Sequence, residues 1–228
     1  MKVLIFPASS EIGLEIRRSM IGVREVTVFG ADSLPDQHGS FVYENYELLP
    51  FVYEDSFIDK LKEMIKKHQI DAIFPAHDDV IVKMVNHAKE IGCRIVTSVA
   101  ETATLCRSKS ATYLALKKIV RVPEMYERGK EQFPVFLKPD ASQGGKGTAI
   151  AQNQDELNFH PKKNPELLIL EYLPGEEHTV DCFTDRTGEL RFVGARIRER
   201  ISNGISVSTR PATKEDQEKL QMMSLIVG

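Results

Sequence analysis

Lys138 ends the apolar run Pro134-Val135-Phe136-Leu137 and is closely followed by Ser142, Gly144, Gly145, Lys146 and Gly147. Glycines let a backbone approach an anion and turn several N–H groups toward it, while lysines add positive charge. The stretch reads as a clamp for nucleotide phosphates. It is not the P-loop kind, in which Gly-Lys-Ser/Thr opens a helix, because Lys146 is followed by Gly147 and the strand-like Thr148-Ala149-Ile150-Ala151. A glycine loop between two antiparallel strands is a flap able to close over a triphosphate.

A second constellation lies downstream. Leu168-Ile169-Leu170-Glu171-Tyr172-Leu173 is an apolar strand that runs through Pro174-Gly175 into Glu176-Glu177. Extended backbone of this kind can read an adenine edge through its C=O and N–H groups. Glu177, just beyond, is a carboxylate able to accept the paired hydroxyls of a ribose.

With "FLKPDASQGGKG" and "LEYLPGEEHTVD" in view, the chain resembles the ATP-grasp superfamily, in the style of the carbamoyl-phosphate synthase large subunit and related carboxylate-amine ligases. The resemblance covers essentially the whole chain. It implies ATP as ligand, with Lys138 near the adenine and α-phosphate, Gly144, Gly145, Lys146 and Gly147 as the flap, and Ser142 facing the phosphates. It further implies Lys109 reaching the phosphates from the other side, Glu171 and Leu173 reading adenine mainly through backbone atoms, and Glu177 on the ribose. Such proteins phosphorylate a carboxylate to an acylphosphate that an amine or similar nucleophile attacks, chiefly by positioning and charge neutralisation. The acceptor here is an unidentified small carboxylate or amine. Magnesium is implied too, on an acidic or amide residue and a later Glu-x-Asn pattern. No Glu-x-Asn follows Glu177, so the metal ligands are expected outside this chain and the ATP-grasp domain is expected to be incomplete at Gly228. The alternative is a nucleotide-binding or interaction module without turnover.

Arg196, Arg198 and Arg200 alternate with Ile197, Glu199 and Ile201, so a regular strand puts all three arginines on one face. Neighbours there are about 7 Å apart and repel by roughly 0.6 kcal/mol per pair in water. That pattern suits ATP phosphates or an acceptor carboxylate, with Arg198 the candidate catalytic residue; cross-strand pairing with acidic residues explains it equally well. His77-Asp78-Asp79 follows an apolar strand, where ligands of open α/β sheets gather, but helix capping by Asp78 or Asp79 is the simpler reading. No metal site is read there. Pro7-Ala8-Ser9-Ser10-Glu11-Ile12-Gly13 occupies the first strand-to-helix turn, with Asp32 downstream as a ribose carboxylate candidate, yet it lacks most glycines of a dinucleotide fingerprint.

These residues need elements to hold them. Val3-Phe6, Val26-Phe29, Ala72-Phe74 and Arg94-Thr97 are short apolar runs, as expected of parallel strands buried on both faces. Phe57, Ile58, Leu61, Met64 and Ile65 share a helical face, and a second helix is expected over Val80–Ile91, stopped by Gly92. Ser108 is a plausible cap for a helix from Lys109. Strands are then expected at Val135–Lys138, Thr148–Ala151, Leu167–Leu173, Thr179–Phe183 and Leu190–Ile201, with a helix near Gln154–Phe159, a hairpin turn at Asp185–Gly188, another tight turn at Asn203-Gly204, and a last helix from Glu215 to Val227. The fold class is α/β: a Rossmann-like parallel-sheet pre-grasp domain over 1–103, then an α+β ATP-grasp domain as a small subdomain over 104–173 and the start of a second over 174–228. A subdomain short of its last strands would leave a sheet edge unpaired and invite a homo-oligomer.

The totals narrow the class. The 228 residues, 42% hydrophobic and 28% charged, suit a globular protein, and a net charge of −3 gives no reason to expect nucleic acid. Cys93, Cys106 and Cys182 lack zinc spacing and suit reduced thiols. No apolar run is long enough to span a bilayer, so no membrane partner is expected and the location is read as cytoplasmic.

Overall fold

A computed structural model describes residues 1–142, 145–160, 167–185, 187–202 and 205–219. The chain forms two compact units, Met1–Arg107 and Ser108–Gly228. No helix among the described residues is long and apolar enough to cross a membrane.

The first unit is built on a five-stranded parallel sheet. Its strands are β1 (Lys2–Phe6), β2 (Thr27–Asp32), β3 (Asn45–Leu48), β4 (Ala72–Pro75) and β5 (Arg94–Ile95), in the order β3-β2-β1-β4-β5. Val3 to Phe6 are at most 1% exposed because helices cover both faces, so the central strand is apolar throughout rather than alternating. Helix α1 (Glu11–Ser19) follows β1, and the single turn α2 (Gly39–Val42) follows β2. In α3 (Phe57–His68), Phe57, Ile58, Leu61 and Met64 are buried as their spacing requires, and Phe57 packs on Phe6 with ring centroids 5.4 Å apart. Left-handed Gln69 ends it, donating its N–H to the Ile65 carbonyl.

Two expectations are corrected here, and the reading of Asp32 as a ribose carboxylate, already set aside for want of glycines, has no support. The helix over 80–91 is in fact two, α4 (Asp78–Asn86) and α5 (Ala88–Ile91). They part at His87, whose ring Nδ1 lies 2.9 Å from the Lys83 carbonyl and whose backbone leaves helical geometry. Gly92, with φ of 64°, does stop α5. The cap of α4 is neither Asp78 nor Asp79 but His77, whose Nδ1 accepts the Asp79 N–H at 3.2 Å. Asp79 is thereby free to take Arg107, the last residue of α6 (Ala100–Arg107), at 2.8 Å, and the Tyr53 hydroxyl. Asp32, finally, is 3% exposed and accepts the Ser9 N–H, the Ser9 hydroxyl (2.6 Å) and the Tyr46 hydroxyl (3.1 Å). It closes the first turn on itself instead of presenting a carboxylate to a ribose.

The second unit carries two antiparallel sheets. One, in the order β6-β9-β7-β8, comprises β6 (Met125–Tyr126), β7 (Val135–Pro139), β8 (Ala149–Ala151) and β9 (Leu167–Glu171). Helix α7 (Lys109–Leu116) precedes it, and α8 (Gln154–Phe159), capped by Asn153, packs Leu157 against Val135, Leu137 and Ile169. The other sheet runs β10-β11-β12, with β10 (His178–Thr184), β11 (Leu190–Ser202) and β12 (Ile205–Pro211). Asp185 ties the β10–β11 turn by accepting the Thr187 and Glu189 N–H groups. Ala195, Ile197 and Ala212 form a small core there, and the Gln217 amide joins it through both the N–H and the C=O of Ala195. Of the last expected helix, residues 214–219 are helical; Leu220, Met223 and Val227, like the Asn203-Gly204 turn, lie outside the described residues.

Candidate nucleotide site

Strand parity decides which side chains reach the site. Val135 and Leu137 point to the α8 side and are fully buried, so Phe136 and Lys138 point to the other face. Antiparallel register sets Phe136 opposite Leu170 and Lys138 opposite Leu168. Phe136, Lys138 and Leu170 line a cleft of about 720 Å³, together with Gly145, Leu173, Glu177 and Arg198. Burial pulls the Lys138 ammonium below the usual lysine range, with the Glu177 charge opposing that shift. Lys138 pairs with no carboxylate among the described residues.

The head of α7 and the segment leaving β7 are built as one piece. The Ser108 hydroxyl accepts the Ala111 N–H at 3.1 Å and donates to the Asp140 carboxylate at 2.8 Å. Asp140 also accepts the Ser110 N–H at 2.7 Å. Burial alone would push the Asp140 carboxyl up; the Ser110 N–H, the Ser108 and Ser110 hydroxyls and the Lys109 charge together hold it below the usual range. Lys109 opposes the helix dipole at this end, and the Asp140 carboxylate offsets it. The Lys109 ammonium donates to the carbonyls of Asp140 (3.0 Å) and Ser142 (3.2 Å), so it grips the base of the glycine loop.

Gly144 lies outside the described residues. Gly145 and Gly147 have φ of 68° and 75°, open to glycine at little cost, and a Cβ on Gly147 would come 3.0 Å from the Pro139 ring. Thr148 closes the turn by donating its N–H and hydroxyl to the Gly145 carbonyl. Lys146 is exposed. The Ser142 hydroxyl is buried without a partner among the described residues. Gly145 thus lines the cleft, whereas Lys109, Ser142, Lys146 and Gly147 do not.

On the far wall, the Glu171 carboxylate is engaged by Arg121 at 2.7 Å and by the Glu124 N–H at 3.3 Å, and the Glu171 N–H by the Glu124 carbonyl. The main chain of Tyr172 and Leu173 makes no hydrogen bond among the described residues. Glu177 pairs with Arg198, and its carbonyl accepts the Arg198 N–H at 2.9 Å. The expected arginine face fails beyond Arg198: β11 slips register against β12 between Arg198 and Arg200 and again before Ile201, and such a bulge changes the parity of the residues beyond it. Ile201, not Arg200, therefore lines the cleft. Arg196 pairs across the sheet with Asp181 at 2.9 Å.

The profile of the ATP-grasp domain matches residues 106–221, half of the chain, and includes every residue named at the cleft. The chain belongs to the ATP-grasp family. It is 25% identical over 187 residues to a D-alanine–D-alanine ligase of Thermotoga petrophila, covering 74% of this chain and 60% of the relative. It is 22% identical over 249 residues to a formate-dependent phosphoribosylglycinamide formyltransferase of Synechococcus, covering 98% and 61%. A carbamoyl phosphate synthase large chain of Clostridium botulinum is 26% identical over 145 residues, covering 56% and 14%. The chain thus spans about three-fifths of the length of the first two. Among solved structures, the biotin carboxylase domain of Hydrogenobacter thermophilus 2-oxoglutarate carboxylase, in complex with MgADP, ADP and bicarbonate, superposes with a TM-score of 0.78 at 16% identity over 98% of this chain and 56% of that one. N5-carboxyaminoimidazole synthetase from Staphylococcus aureus complexed with ADP gives 0.76 at 14% identity over 99% and 62%.

Sequence reading of this ATP-grasp cleft missed Tyr113, His178 and Ile201, which also line it. Tyr113 follows Lys109 by one helical turn, a spacing that could have placed it on the same face; burial, then the Asp140 charge, push its phenol up. His178 opens β10 with Nδ1 lying 3.3 Å from the Glu176 carbonyl, while its Nε2 is buried without a partner among the described residues. If Nδ1 donates there, Nε2 is left as an acceptor. Ile201 reaches the cleft through the bulge alone, which no local pattern announces.

Proposed function

We propose that this chain binds ATP in the second unit's cleft as the nucleotide site of a carboxylate-amine ligase. The supporting observation is one cleft that combines the half-buried Lys138, the open main chain of Tyr172 and Leu173 beside apolar Phe136 and Leu170, and the Glu177 carboxylate. The adenine lies against Phe136 and Leu170 with its edge on the Tyr172–Leu173 main chain, and Glu177 takes the ribose hydroxyls. Lys138 and the Gly145–Gly147 turn take phosphate oxygens. Lys109 acts mainly by fixing the loop base through the Asp140 and Ser142 carbonyls, and His178, which lines the cleft, brings the buried Nε2 in want of a partner among the described residues.

Among the described residues no group of three or more His, Cys, Asp or Glu side chains could hold a metal ion, so the magnesium implied by the resemblance is assigned no ligand here. The reaction is transfer of the γ-phosphoryl group to a carboxylate oxygen with departure of ADP, followed by attack of an amine on the acyl carbon and loss of phosphate. Arg198 offers its charge to the transferred group or the carboxylate. The test is to incubate the full chain with ATP, magnesium and a panel of small carboxylates, with hydroxylamine as the nucleophile. ADP release matched by hydroxamate supports the ligase reading; binding of ATP with no ADP release for any carboxylate restricts the chain to nucleotide binding.

A further inference from the structure

We propose that the first unit carries a ligand site of its own, a cavity that takes a free apolar α-amino acid between Arg17 and Glu44. The cavity is about 370 Å³, within the range of small-molecule sites, roughly 300–1,000 Å³. Its walls come from the end of α1, at Arg17 and Met20, and from the first residues of β2 and β3, at Thr27 and Asn45. Ligands of open α/β sheets gather at the carboxyl ends of the strands, where the first strand-to-helix turn and His77 lie; this cavity is at the opposite edge of the sheet. No residue of the ATP cleft belongs to it.

Arg17 stands in the last turn of α1, where a cation suits the negative end of the helix. Its guanidinium carbon is 5.5 Å from the centre of the Tyr43 ring. The Tyr43 hydroxyl, 2.9 Å from the Gly13 carbonyl and 3.2 Å from that of Ala8, fixes the ring as a wall. The Arg17 N–H groups have no acceptor among the described residues. Arg18 differs: it pairs with Glu15 at 2.6 Å and does not line the cavity. Glu44 lines the cavity and is exposed, and it pairs with no cation among the described residues, Arg17 included. Two opposite charges therefore face one space without meeting. A lone anion would suit Arg17 and be repelled by Glu44, and a lone cation the reverse; a zwitterion answers both. Its carboxylate takes the planar guanidinium fork, and its ammonium donates to Glu44. Met20, Val26 and Val28, each half-buried, line the same space and give an aliphatic side chain apolar surface to cover.

The experiment titrates the full chain, as wild type, Arg17→Gln and Glu44→Gln, with three probes. They are L-leucine, leucinamide, which keeps only the ammonium, and N-acetylleucine, which keeps only the carboxylate. The wild type is expected to saturate with leucine and to bind each blocked compound about tenfold more weakly, the loss of one charged hydrogen bond. Arg17→Gln is expected to lose the preference for leucine over leucinamide, and Glu44→Gln the preference for leucine over N-acetylleucine. Leucine bound anywhere else would not give that crossed pattern. Arg17 also packs on Tyr43, so thermal melts check the fold of its variant; should Arg17→Gln unfold, the exposed Glu44 decides alone. A wild type that does not saturate at millimolar leucine, blocked compounds that bind as well as leucine, or preferences unmoved by the substitutions overturn the site. ATP affinity is expected to be equal in all three chains, so the nucleotide reading stands or falls separately.

Discussion

Lys138 is a cation at the bottom of an apolar strand, half-buried and without a carboxylate partner among the described residues. Replacing it with methionine is expected to raise the dissociation constant for ATP about tenfold to a hundredfold, the range of a hydrogen bond to a charged group. Because burial lowers its proton affinity, ATP affinity in the wild type is expected to fall with rising pH before ordinary lysines titrate; Lys138→Met should show no such limb in calorimetry across pH. That Lys138, Gly145 and Glu177 line one cleft was legible because residue type and spacing carry their chemistry. The role of Lys109 was not, since only the folded chain turns its ammonium onto the Asp140 and Ser142 carbonyls. Tyr113 and His178 were missed because an aromatic on a helix and a histidine opening a strand each suit ordinary packing.

At the scale of elements, the α7–loop junction hangs on Asp140. Its folded pKa is depressed, so its contribution is present above the unfolded value of about 3.9 and is lost as pH falls through the folded one. Asp140→Asn is expected to cost about 1–2 kcal/mol near neutrality, through a weakened cap and lost charged hydrogen bonds. Thermal melts should show the gap between variant and wild type closing as the pH falls through the folded value; a gap that persists once the carboxyl is protonated contradicts the role given to the carboxylate. The sequence announced strands with buried apolar runs but not β3, whose Asn45-Tyr46-Glu47-Leu48 is an edge strand with polar residues. Nor did it announce β12, an edge strand that ends in Pro211, whose ring can donate nothing to a ladder. The α4–α5 break was hidden because the apolar period runs through His87, while the break depends on one imidazole reaching a carbonyl a turn back. The bulge in β11 was hidden for a similar reason: a register slip is set by the partner strand.

For the whole molecule, two units with separate cores predict separable responses. In the first, Tyr43 and Tyr46 are both pushed up to about 12, by burial first in each case, with the Asp32 charge adding to it. Their contribution is full below the unfolded value of about 10 and is lost as pH rises toward 12, so the first unit is expected to loosen in that window by hydrogen exchange, and Tyr46→Phe to shift its onset upward. In the second, ATP at a hundred times its dissociation constant should stabilise the cleft by about 2.7 kcal/mol, with exchange slowed most over Tyr172–Glu177 and Gly145–Thr148. The ATP-grasp membership spans 106–221, and the central claim is that the second unit uses its cleft for ATP. Calorimetric titration of the full chain with ATP, beside Lys138→Met, tests that most directly. Saturable binding that Lys138→Met weakens about tenfold or more, with its far-ultraviolet spectrum unchanged, is the predicted result; no saturation at millimolar ATP, or equal affinity in the variant, would contradict it.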